Sequence, residues 1–394
     1  MADNEVDVSD TDIHGKVLQA LKKHSHLADL QWAKDTSSVK VEEIGDGNLN
    51  EVFRVYPSED PNNSVVLKHA PPYIKCLGKD FPLHEERGEL EYNAQFKFHS
   101  IAPGSVPKPI FYDSSLRVMC MEDLRDYVIY RSSLISGHLD DDAALKLARD
   151  VAVIHRDTHV ANIGEDAIKQ LDKEFQNPEM MDLTERYIFT GPFSPDDPTN
   201  RCSPSLKARL DWVYGDQEVL RAAAEMKRVF LEKKEALVHG DLHTGSIMVK
   251  DKDAKVFDSE FSYVGPCAFD VGVLVANYIF NYYCHLLQPD DNDNRRVFAY
   301  RVVEICNKTV AEYFKHMTSV TGDKETYQAD FMSELAGFAG CEIVRRLIGA
   351  AHVAEFDATP QAEVDALGAG VRLLKAHDRI HSIGTLMVIA LMLA

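Results

Sequence analysis

The string His239-Gly240-Asp241-Leu242-His243-Thr244-Gly245-Ser246 follows a short apolar strand. Ile247-Met248-Val249 comes next, then a turn through KDKDA into KVFDSE, ending at Asp258-Ser259-Glu260. Moving a phosphoryl group onto a hydroxyl requires a carboxylate beside the acceptor oxygen. It also requires oxygen ligands for Mg²⁺, which prefers octahedral oxygen coordination. Asp241 supplies the first; Asp258 and Glu260, at i and i+2 around a strand end, supply the second. A polar loop and an acidic strand end without function is the bland alternative. The co-occurrence of both elements at this separation argues against it.

Other residues bear on the same chemistry. Lys68 ends the apolar run Val65-Val66-Leu67, and a lysine on a buried strand needs an anion. It either snorkels at an edge or pairs with phosphates and a carboxylate of the next helix, where Glu91 is favoured over Glu89. Gly45-Asp46-Gly47-Asn48 lies between two strands and is either a plain hairpin turn or an anion cradle of backbone N–H groups. Asp270, at the start of an apolar helix, caps that helix or braces the 239–246 loop. Arg345 and Arg346 sit in one helical stretch, where neighbours cannot face the same way. In so acidic a chain they are an anion site or a structural ion pair. The string His155-Arg156-Asp157-Thr158-His159-Val160-Ala161-Asn162 matches the protein-kinase pattern H-R-D-x-x-x-x-N. Helical sequence follows it where a hairpin returning a metal ligand is needed, so it reads as coincidence.

Antiparallel strands are expected at 39–44, 52–56 and 65–68, a helix at 84–99, and two further strands before the segment MEDL, 121–124. Helical patterns then dominate: 139–158, 163–176, 205–231, 268–287, 295–318, 325–355 and 361–379. Strand and hairpin at 235–266 interrupt them. The expectation is an α+β, bilobal architecture with a cleft between the lobes. The N-lobe, 1–124, would carry the Gly-rich loop and the lysine; the helical C-lobe, 125–394, the acidic loops. The Pro-rich loop 190–206 is a candidate flap.

Composition fits this reading. The 394 residues suit two lobes, and 45 % hydrophobic with 27 % charged residues excludes a disordered chain. A formal net charge of −20 argues against nucleic-acid binding and recruitment to anionic membrane. The seven cysteines are scattered without a C-x-x-C pair, which indicates neither zinc nor disulfides. The N-terminus has no secretory pattern. Val264–Cys284 is broken by Asp270 and Asn277, and Ile383–Ala394 is shorter than the ~20 residues of a membrane span; both read as buried helices. A cytoplasmic protein is expected.

Taken together, GDGNLNEVF, VVLKHA, MEDL, HGDLHTGSIMV, FDSEFSYVGP and the arginine pair resemble the 5-methylthioribose kinases, over roughly residues 35–355. That family has the protein-kinase-like fold and is related to aminoglycoside and choline kinases. The resemblance implies transfer of the ATP γ-phosphate to the anomeric hydroxyl of 5-methylthioribose. It also implies a homodimer. Asp241 looks like the catalytic carboxylate that also holds the sugar, and Asp258 and Glu260 like the Mg²⁺ ligands. Lys68 looks like the phosphate lysine, Asn48 and Asn50 like the loop over ATP, and Glu122, Asp123 and Leu124 like the hinge that reads adenine. Arg345 and Arg346 resemble the sugar-side arginines. Ser259 joins the ATP-binding segment where proline is often found, and SEDPNN lengthens the hairpin before Lys68. A kinase for an aminoglycoside, choline or homoserine, or an inactive ATP-binding scaffold, are the alternatives.

Overall fold

The computed structural model describes residues 13–45, 50–73, 82–84, 86–288, 293–317, 320, 324–357 and 359–392. Asn48, with the rest of the turn 46–49, lies outside them. Contacts divide the chain into two compact units, Met1–Arg125 and Asp126–Ala394.

The first unit opens with α1 (Ile13–His24), followed by β1 (Val39–Glu43), β2 (Glu51–Pro57) and β3 (Val65–His69). α2 (Arg87–Ile101), β4 (Pro109–Asp113) and β5 (Val118–Glu122) complete it. The strands form one antiparallel sheet in the order β1-β2-β3-β5-β4. Side chains alternate across a strand. Val65 and Leu67 therefore join Phe53, Val55, Phe111 and Cys120 on the face covered by Val17, Ala20 and Leu21 of α1. Val66 lies in a separate cluster with Met119, Met121 and Tyr92 of α2. Lys68 shares the parity of Val66, which aims it toward α2.

The second unit begins with β6 (Val128–Ile129), α3 (Tyr130–Ile135), α4 (Asp141–Thr158), α5 (Val160–Ile163), α6 (Glu165–Glu174), α7 (Pro178–Thr184), α8 (Asp211–Tyr214) and α9 (Gln217–Glu232). Then come β7 (Ala236–Val238), β8 (Ile247–Lys250), β9 (Asp253–Val256) and β10 (Tyr263–Gly265). The chain closes with α10 (Cys267–Leu287), α11 (Asn294–His316), α12 (Lys324–Ile348), α13 (Pro360–Ala376) and α14 (Ile383–Ala390). α10 is buried continuously from Cys267 to His285 and packs against α11, α12 and α13. Among the described residues no helix is long and apolar enough to cross a membrane.

Several helices expected as one piece are divided, each for a local reason. Gly164, at φ +85, separates α5 from α6 within 163–176. Within 205–231, the Asp216 carboxylate accepts the N–H groups of Glu218 and Val219 and starts α9 afresh. α12 stops at Ile348, short of 355. A Cβ on Gly349 would stand 2.4 Å from the Arg345 carbonyl oxygen. The 190–206 loop differs from a free flap. Asn200 Nδ2 donates to the carbonyls of Gly191 and Ser194, and the Arg201 N–H donates to the Gly349 carbonyl at the end of α12. Of the C-terminal helix, Leu386, Met387 and Ala390 are buried, while Val388 is 71 % exposed.

Candidate active site

Asp241 lies just beyond β7, in a loop whose backbone is held by buried side chains. Gly240 has φ +84, and a Cβ there would stand 2.1 Å from the Phe261 carbonyl oxygen, so only glycine fits this crossing. Asp270, in the first turn of α10, accepts the His239 N–H at 2.7 Å on Oδ2 and the Gly240 N–H at 2.9 Å on Oδ1. Asp270 thus braces the loop. Thr244 Oγ1 donates to Asn277 Oδ1 at 2.9 Å, one helical stretch further along α10. Phe257 N–H donates to the Ser246 carbonyl at 3.0 Å where β9 returns beside β8, which brings the acidic turn next to the loop. His239 joins the two directly: its Nδ1 accepts the Asp241 N–H at 3.3 Å, and its Nε2 donates to the Phe257 carbonyl at 3.0 Å.

The acidic turn starts at Asp258 in left-handed backbone, φ +66 and ψ +52. That conformation costs a non-glycine residue roughly 1–2 kcal/mol, and aspartate is among the few that adopt it. Ser259 and Glu260 are each 3 % exposed. Asn177 Nδ2 donates to the Glu260 carbonyl at 2.7 Å and to the Ser262 carbonyl at 3.2 Å, pinning the turn from behind. Two carboxylates two residues apart, without sulfur or imidazole, form the hard oxygen donor set that suits Mg²⁺.

On the other side of Asp241, Arg345 Nη2 donates to Asp241 Oδ1 at 3.3 Å and to Glu342 Oε1 at 3.1 Å. Arg346 Nε donates to Glu342 Oε1 at 2.9 Å. The two arginines, each 8 % exposed, therefore converge rather than diverge. Glu342, three and four residues back, lies on the helix surface between them, and long helical side chains lean toward the N-terminus. Burial pushes the Asp241 carboxyl up. The His243 imidazole and the Arg345 and Arg346 guanidiniums outweigh that and hold it well below the usual carboxylate range. These neighbours favour the ionised form of Asp241.

In the first unit, Lys68 Nζ donates to Glu91 Oε1 at 2.7 Å, with both residues buried, while Glu89 is exposed. Asn50 is buried and its side-chain carbonyl accepts from Arg87. In 122–124, Glu122 accepts the Lys108 N–H and Leu124 is buried. Asp123 binds Arg54 through both oxygens, at 2.7 and 3.1 Å.

The 155–162 string has no catalytic geometry: Asp157 is largely exposed and pairs with Arg156 at the end of α4. His155 is not idle, however. Its Nε2 lies 3.2 Å from Asp270 Oδ2 and its Nδ1 2.9 Å from Tyr313 Oη. It supports the residue that braces the Asp241 loop. This role, like those of Asn177 and Asn277, has no local signature in the sequence. A second cluster, His159, Glu235 and Cys267, lies under β7. Lys233 Nζ already stands 3.3 Å from Glu235 Oε1, and the Cys267 N–H donates to Oε2 at 2.9 Å. This is a neutralised ion-pair network rather than a metal centre.

The family model described as "Phosphotransferase enzyme family" matches residues 40–302. With the braced aspartate loop and the acidic turn, it defines an ATP-dependent small-molecule kinase. Methylthioribose kinase of Bacillus pumilus is 35% identical over 373 residues, 90% of this chain and 92% of the relative. That of Geobacillus thermodenitrificans is 34% identical over 359 residues, 86% and 88% of the two chains. The chain belongs to the methylthioribose kinase family. Among solved structures, Plasmodium vivax ethanolamine kinase superposes with a TM-score of 0.50 at 15% identity, covering 93% of this chain and 92% of that one. This is a likeness of fold.

Proposed function

We propose that this kinase transfers the γ-phosphate of ATP to the anomeric hydroxyl of 5-methylthioribose, giving the 1-phosphate, a step of methionine salvage. One observation carries the reading: Asp241, kept ionised, is flanked by Arg345 and by a second guanidinium on the same anchor. A carboxylate receives the proton of a sugar hydroxyl, and guanidiniums stabilise the negative charge that spreads over the transferring oxygens. The same arginines disfavour a cationic acceptor such as choline or an aminoglycoside.

Asp241 orients the acceptor hydroxyl and takes its proton. Lys68, fixed by Glu91, meets the ATP phosphates, and Glu122, Asp123 and Leu124 offer backbone groups to adenine. Asn48 and Asn50 belong to the loop over ATP, Asn50 being held from behind by Arg87. Asp258 and Glu260 would hold Mg²⁺, with Ser259 between them in the nucleotide-binding segment. When bound, the ion neutralises charge on the phosphate oxygens. The cytoplasm suits the six free thiols among the described cysteines. A homodimer accords with the resemblance, and light scattering checks it.

The test is ADP release measured with a panel of acceptors. Turnover is expected with methylthioribose and its close 5-alkylthio analogues, and none with choline or kanamycin. The reverse pattern overturns the assignment. Asp241→Asn should abolish turnover while leaving ATP binding nearly intact.

A further inference from the structure

His243 stands two residues beyond Asp241, and its two ring nitrogens face different partners. Nε2 lies 3.3 Å from Asp241 Oδ2. Nδ1 receives the Gly245 N–H at 3.0 Å, with Ser246 Oγ and Arg131 Nη2 each 3.4 Å away. A backbone N–H and a guanidinium can only donate, so Nδ1 must be the unprotonated nitrogen and the ring proton sits on Nε2, facing Asp241. Burial holds the imidazole below its ordinary 6.5, against the pull of Asp241 and with help from Arg346 and Arg131. With Nδ1 accepting from the Gly245 N–H, the N–H of the ring is the one at Nε2, directed at Asp241. Arg131 is kept in place by Glu355, whose buried Oε1 lies 3.6 Å from Arg131 Nε. The absence of a side chain at residue 245 makes room for the arrangement. A Cβ there would stand 2.8 Å from His243 Cε1 and 3.0 Å from Arg131 Cζ.

We infer that His243 is the positioning residue of Asp241, with separable duties for its two nitrogens. Nδ1 closes the turn Thr244–Ser246, while Nε2–H fixes the Asp241 carboxylate in the rotamer that aims it at the acceptor hydroxyl. Oδ2 is tied by His243 and Oδ1 by Arg345. The carboxylate is thus clamped at both ends, with its remaining lone pairs left for the sugar. A donor at Nε2 matters because a rotated Asp241 would miss the hydroxyl, and small displacements of a reacting group lose rate steeply. The inference rests on the reading of Asp241 as the acceptor-side carboxylate.

Two isosteric substitutions separate the duties. The amide nitrogen of His243→Gln reaches the Nε2 position and can donate to Asp241, but nothing remains at Nδ1. The amide oxygen of His243→Asn occupies the Nδ1 position and can accept from Gly245, but nothing reaches Asp241. Each variant is compared with the wild type on whichever acceptor the wild type turns over, with KM for ATP and the melting temperature measured alongside. Expected are kcat within about tenfold of wild type for the Gln variant, and a loss of about a hundredfold for the Asn variant despite its higher melting temperature. An active Asn variant with an inactive Gln variant would mean that only turn closure matters, and it overturns the inference. Equal kcat in the two variants, high or low, overturns it as well. A wild-type enzyme idle with methylthioribose but active on another sugar defeats the substrate reading alone.

Discussion

Glu342 holds two guanidiniums while its own side chain is wholly out of water. Removing one arginine leaves the carboxylate neutralised by the other; removing Glu342 takes the hydrogen-bonded anion from buried Arg346 and leaves Arg345 only Asp241. Arg345→Ala and Arg346→Ala are each expected to lower kcat by at least about tenfold, about 1.4 kcal/mol of barrier. The larger loss belongs to Arg345, which alone of the two donates a hydrogen bond to Asp241. Arg345→Lys should not restore the rate, because one ammonium cannot hold Glu342 and Asp241 as the planar fork does. Glu342→Ala should cost roughly 3–5 kcal/mol of stability in a urea titration, since it breaks a buried pair from the carboxylate side. Equal urea midpoints for wild type and Glu342→Ala would refute the shared anchor. Asp241, Asp258 and Glu260 can be read from the sequence because each lies in a contiguous motif with its own chemical logic. Glu342 cannot, since a glutamate in a helix is ordinarily a solvated charge and only packing reveals it as buried.

Asp270 and Asn277 are two of the buried polar residues in the apolar helix α10, with Asn281 and His285 further along it. Seven residues of helix bring two side chains to within about 20° of the same direction. These two share one face of the helix, and both are used to hold the Asp241 loop. Asp270→Asn exchanges one of two accepting oxygens for a donor, leaving a buried N–H unsatisfied at roughly 1–3 kcal/mol. Both melting temperature and kcat should fall. Asp157→Asn, at the exposed end of α4, should leave kcat within a few-fold and the melting temperature unchanged. If Asp157→Asn is the more damaging of the two, the loop assignment fails. The helix and its burial follow from composition and length, as does the strand-loop-hairpin that carries the acidic residues. What periodicity does not carry is the partner of each polar residue. His155 reaches Asp270, and Asn177 reaches the Glu260 turn, only once segments distant in sequence are packed together. The divided helices at Gly164 and Asp216 are an intermediate case. Their breaks rest on visible residue types, yet the apolar spacing runs on across them.

In the molecule at large, buried ion pairs make stability depend on pH in a direction that can be worked out. Burial pushes the Glu235 carboxyl up, but the His159 imidazole, its Nε2 3.3 Å from Oε1, and the adjacent Lys233 ammonium bring it to about 2 from an ordinary 4.5. A lowered folded-state pKa means that the contribution is complete above 4.5 and disappears as pH falls toward 2. The amount at stake is on the order of 3 kcal/mol. Urea unfolding at pH 7 and pH 3 should therefore show a drop in stability that is smaller in Glu235→Gln. An identical drop in the variant would remove Glu235 as a source. The buried continuity of α10 has a further consequence, for synthesis. α11, which also covers this helix, follows it directly, but α12 is complete only about sixty residues after α10 ends, some ~3–12 s at ribosomal rates of ~5–20 residues per second. For that interval the apolar face of α10 that meets α12 has no partner in the nascent chain, a surface that attracts chaperones or other unfinished chains. Premature termination between α10 and α12 would leave that face bare for good.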